Sequence, residues 1–91
     1  MNATEARKRG REDGAHDVRE VVNEERTHAK KVELLRRSLR PGALGWDEAA
    51  INAGVARIVG IPARLERAYY EAYANGANKE ARALLAEYEN D

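Results

Sequence analysis

Apolar residues along this chain recur at helical spacing. Val18, Val21, Val32, Leu35 and Leu39 fall on the a and d positions of a single heptad frame, the pattern of a coiled-coil seam. The two positions between them, Glu25 and His28, are polar. Nothing breaks a helix between Ala15 and Leu39, so the pattern predicts one long helix over Asp13 to Leu39. It would be about 25 residues and about 37 Å long. Lys and Arg gather in its last turns, where they complement the helix dipole.

A second stretch, Trp46 to Pro62, is apolar nearly all round. Beyond its first turn only Asn52 and Arg57 are polar. Such a helix is expected to be buried, as a central strut around which the others pack. Asp47 is a suitable N-cap with Trp46 just before it, and Gly60-Ile61-Pro62 is a stop signal. Buried in this way, Ile51→Asp or Ile58→Asp would unfold the chain by placing an unpaired charge in the core.

The remaining pattern predicts a third helix from Pro62 to about Asn75, with Leu65, Ala68, Tyr69, Ala72 and Tyr73 on one face. Asn75-Gly76 would end it. A last helix over Lys79 to Glu89 would present Ala81, Leu84, Leu85 and Tyr88. The alternative is one helix from Pro62 to Glu89, kinked at Gly76. Residues 1–14 are polar, and Gly10 and Gly14 each cost about 1 kcal/mol inside a helix. They are expected to form a flexible or partly helical arm, leaving residues 15–91 as a single helical domain. Ala6, Gly10, Ala15 and Val18 are echoed at a constant offset by Ala72, Gly76, Ala81 and Leu84; four matches among small residues are easily coincidence. The fold class expected is all-α: a small helical bundle with one long N-terminal helix and three shorter ones.

Composition adds a limit on stability. The 91 residues include seventeen alanines and no Phe, so one small domain is expected with little area buried per residue. A second copy or a protein partner is expected to complete so marginal a core. Lys plus Arg equals Asp plus Glu, which leaves no global field to steer nucleic acid or membrane. Residues 1–40 hold eleven basic and eight acidic side chains, residues 41–91 five and eight. The absence of cysteine removes disulfides, thiolate chemistry and Cys-based metal sites, and fits a cytoplasmic location. No apolar run reaches membrane-span length.

Candidate chemistry is sparse. Ala50-Ile51-Asn52-Ala53-Gly54-Val55 has the small residue, glycine and valine of the first helix and turn of a helix-turn-helix motif. A recognition helix should then run on with polar residues for base edges. Instead an apolar turn and Gly60-Ile61-Pro62 follow, and only Arg57 is left to reach DNA. Glu24 and His28 share a helix face, but two ligands do not make a zinc site. Ser38 is the only serine, and no phosphate loop or displaced carboxylate pair is apparent. No enzyme activity, cofactor or metal is expected.

The function expected is non-enzymatic protein–protein interaction, by a dimeric adaptor or a small inhibitor or regulator of a larger assembly. Its partner face would be the uncovered part of the long helix, Val18, Val21, Val32, Leu35 and Leu39, with Arg67 and Tyr70 as further anchors. The alternative is a nucleic-acid-binding transcriptional regulator using Lys30, Lys31, Arg36, Arg37, Arg40 and Arg57 on phosphates.

Overall fold

A computed structural model describes residues 1–90; Asp91, the last residue of the expected domain, lies outside them. Helix α1 spans Ala3–Glu24, α2 His28–Ser38, α3 Trp46–Asn52 and α4 Val55–Ile58. A 3-10 turn, Ala63–Leu65, leads into α5, Glu66–Glu89. The described residues form an all-α bundle whose longest helix is C-terminal rather than N-terminal. Among them no helix is long and apolar enough to cross a membrane.

The molecule is built on α1 and α5, which lie side by side and run parallel. Met1, just before α1, and Asp13, Asp17 and Arg19 on it meet Arg64, just before α5, and Tyr69, Tyr73 and Glu80 on it, in the same order along the chain. Every fourth residue of α1 faces its neighbour: Ala6, Gly10, Gly14, Val18 and Val22 are all buried. From α5 come Tyr69, Ala72, Tyr73, Gly76, Ala77 and Ala81. The absent side chains let the backbones touch. A Cβ at Gly10 would sit 2.3 Å from the Tyr69 carbonyl, one at Gly14 2.3 Å from that of Tyr73, and one at Gly76 2.3 Å from that of Arg11.

Residues 1–14 are thus not an arm but the first turns of α1, capped by the Asn2 side chain, which accepts from the Glu5 N–H at 2.9 Å. The helix propensity lost at Gly10 and Gly14 is outweighed by packing that only glycine permits. Gly76 likewise ends no helix; α5 runs through it, as in the one-helix alternative. The echo at constant offset marks the two sides of this contact. Ala6, Gly10 and Val18 on α1, and Ala72, Gly76 and Ala81 on α5, are all buried.

The helix expected over Asp13 to Leu39 is broken at Glu25–Thr27. Glu25 and Thr27 are extended, with φ −76, ψ 134 and φ −116, ψ 151, and the Thr27 hydroxyl caps α2 by accepting from the Lys30 N–H at 3.2 Å. Bending there lets α2 fold back and bury Leu35 with Val18, Val22, Ala77 and Ala81. The Arg36 guanidinium reaches Glu89 at 2.8 Å to tie α2 to the end of α5.

Trp46 to Pro62 is not the buried strut. It is two short helices on the surface, of which only Ala50, Ala56 and Ile61 are buried. Ile51 and Ile58 are 49% and 76% exposed, so aspartate at either position meets water and the unfolding expected there does not follow. Trp46 still bridges the two halves of the core, packing against both buried clusters.

The α1–α5 pair is pinned by two hydrogen bonds one helical turn apart. The Tyr69 hydroxyl donates to Asp13 Oδ2 at 2.7 Å, and the Tyr73 hydroxyl donates to Asp17 Oδ2. Burial is the main cause that raises both phenol pKa values well above the ordinary tyrosine value, and the aspartate hydrogen bonds add to it. A proton held more tightly in the folded state stabilises fully below the unfolded pKa of about 10 and is lost as pH rises beyond it. An alkaline titration should therefore show Tyr69 and Tyr73 ionising only together with loss of helical circular dichroism. Tyrosinate absorbance from all four tyrosines with the helix signal intact would contradict this.

Candidate functional site

The surface segment from Leu44 to Ile58 is built by local backbone rules. The Asn52–Val55 corner needs a left-handed residue, and Gly54 supplies it at φ 69. The end of α4 needs another, Gly60 at φ 80. There the Ile61 N–H bonds the Ala56 carbonyl at 2.8 Å and the Gly60 N–H that of Arg57 at 3.2 Å, a glycine-dependent helix stop. The stop read from Gly60-Ile61-Pro62 is where it was expected. It leaves α4 four residues long, too short to read a DNA groove.

Tyr70 fastens this segment to α5. Its hydroxyl accepts from the Ala56 N–H at 2.9 Å, filling the place of a cap at the start of α4, and lies 3.5 Å from the Ala50 carbonyl. Tyr70 is therefore an internal clasp. Among the side chains facing outward are three large aliphatics: Leu44 is 66% exposed, Ile51 49% and Ile58 76%. Beside Leu44 a groove of about 210 Å³ is lined by Leu34, Arg37, Ser38, Ala43, Leu44 and Trp46. Large exposed aliphatics on a held backbone suit contact with another apolar surface.

The residues expected to bind a partner are separated by the break before α2. Val18 and Leu35 are completely buried inside the chain, while Val21, Val32 and Leu39 are half-buried. Arg67 is exposed and pairs with Glu71 at 3.0 Å. The basic set is partly neutralised. Arg36 is held by Glu89 and Arg37 by Glu33 at 3.0 Å, and the Lys31 ammonium lies 5.9 Å from the Tyr88 ring centre. Among the described residues Lys30, Arg40 and Arg57 are exposed and have no ion-pair partner. His28 does not face Glu24 across a helix turn, because the break lies between them; its ring meets Tyr88 edge-on at 5.5 Å. Among the described residues no three His, Asp or Glu converge as a metal site would require.

Searches of protein-family models, curated proteins and solved structures each find no significant match to this chain. Sequence reading missed the Leu44–Ile58 edge because it assigned Ile51 and Ile58 to the core. The available signal was the shortness of the segment between Gly45 and Gly60, which cannot wrap its apolar residues on all sides.

Proposed function

We propose that this chain is a non-enzymatic protein-interaction module, a dimeric adaptor or small regulator of a larger assembly, acting in the cytoplasm. The observation that carries this reading is the exposure of Leu44, Ile51 and Ile58 on a segment clasped to α5 by Tyr70. Three large aliphatic side chains left in water are costly to solubility and are recovered when a partner covers them. A nucleic-acid role for α2 has less support, since Arg36 and Arg37 already hold carboxylates.

The test uses Leu44→Asp and Ile58→Asp. Both sites face water, so stability should change by no more than about 0.5 kcal/mol, or a few degrees in Tm. Binding to a protein partner, once it is isolated, should fall at least tenfold. Unchanged partner binding in the folded double variant would remove the basis of this reading. Duplex binding that weakens steeply with salt, and is lost on Lys30→Ala with Arg40→Ala, would move the assignment to nucleic acid.

A further inference from the structure

We propose that the chain forms a swapped dimer, in which α1 of one copy docks on α5 of the other. In each copy α1 and α2 then join through Glu25–Thr27 into one continuous helix. This rests on the self-association part of the reading above and names the partner as a second copy.

The sequence across the break favours a helix. Glu24-Glu25-Arg26-Thr27-His28 contains neither Gly nor Pro, and the heptad frame of Val18 and Val21 continues without a phase change into Val32, Leu35 and Leu39. The bend is held by few bonds: Glu25 N–H to the Val22 carbonyl at 3.1 Å and Lys30 N–H to the Thr27 hydroxyl at 3.2 Å. Arg26 and Thr27 are exposed and Glu25 is half-buried, so no hinge side chain is part of the core. Straightening the hinge pairs the last carbonyls of α1 with the first N–H groups of α2, groups that a helix end leaves without intrahelical partners.

The α1–α5 contacts survive the exchange, and Leu35 then packs on Val18 and Val22 of the other copy's α1. The glycine contacts, the Tyr69–Asp13 and Tyr73–Asp17 bonds and the Arg19–Glu80 ion pair all lie between α1 and α5. A second copy's α5 offers the same surface to the incoming α1. Closed monomer and swapped dimer therefore differ chiefly at the hinge, which is the circumstance in which exchange of an element costs little. Concentration then sets the balance between them.

The chain has no cysteine, which permits a direct test. Arg19 and Glu80 face each other across the α1–α5 contact at 3.5 Å. An Arg19→Cys/Glu80→Cys variant treated with a short bis-maleimide should yield cross-linked monomer at micromolar concentration and covalent dimer at millimolar concentration. Thr27→Ala removes the cap at both hinges and should tighten the dimer at least about tenfold. His28→Pro sits at the first position of α2, after an extended residue, where proline suits the closed form. In a continuous helix it would be an interior proline, so the dimer should weaken by more than about a hundredfold. A dimer by light scattering that cross-links only within chains, or that withstands His28→Pro, would overturn the swap while leaving self-association in place. A monomer at every concentration, Thr27→Ala included, would overturn both.

Discussion

Gly76→Ala is expected to lower the stability of this protein, although alanine is the better helix former by about 1 kcal/mol. The added methyl would lie 2.3 Å from the Arg11 carbonyl oxygen and 2.7 Å from its Cα. Both are backbone atoms, so no side-chain rotation relieves the clash and the helices must separate. Overpacking of this kind costs about 1–3 kcal/mol, occasionally more, and separation also loosens the Tyr69–Asp13 and Tyr73–Asp17 bonds. With Gly14→Ala added, which meets the Tyr73 carbonyl at 2.3 Å, the loss should reach about 3 kcal/mol or more. That is a large share of the roughly 5–10 kcal/mol that holds a domain of this size. Urea unfolding followed by circular dichroism gives the measurement. A rise in midpoint for Gly76→Ala or for the double variant, as expected of glycines on a solvated helix, would show that α1 and α5 do not touch in this way.

The other large effect is expected at Val18. Its side chain is completely buried against Val22, Leu35, Ala77 and Ala81. Val18→Asp places a carboxylate in a cluster whose buried members are all aliphatic, and the cost should exceed about 4 kcal/mol. The chain should lose its helical signal at neutral pH. If Val18 lay instead on a water-facing seam of a folded single chain, the same variant would be a well-folded monomer. Ile58→Asp, at a site 76% exposed, is the internal control, and it should melt with the parent.

The all-α class, the stop at Gly60 and the apolar face of α5 were legible from spacing and capping residues; α3 starts near Trp46 as expected, but its N-cap is Gly45 rather than Asp47 and no side chain caps it. Three other features were not, each for a physical reason. Gly10, Gly14 and Gly76 have the look of helix breakers, because propensity is local and says nothing of a second backbone arriving at contact distance. The break at Glu25–Thr27 uses residues that continue a helix equally well; Thr27 was a capping residue lying in an unbroken heptad frame, and burial of Leu35 decided between the two. Ile51 and Ile58 were assigned to the core because apolarity was equated with burial. That equation fails in a chain too small to cover its own apolar residues. The Leu44–Ile58 edge was hidden for that last reason, and Tyr70 could not be recognised as a clasp because its partners, Ala50 and Ala56, are 20 and 14 residues away.

The parallel arrangement of α1 and α5 also governs when the fold can form. Helical bundles usually assemble from neighbours in sequence and do so quickly. Here the two hydrogen bonds that set the register join residues 56 apart, and α1 has no other long partner. The chain between must be brought round before either long helix can bury its face, so loop closure precedes the reward. Assembly should accordingly resemble that of a β protein more than that of a helical hairpin. As the chain emerges from the ribosome, α1 stays bare until α5 has followed it out.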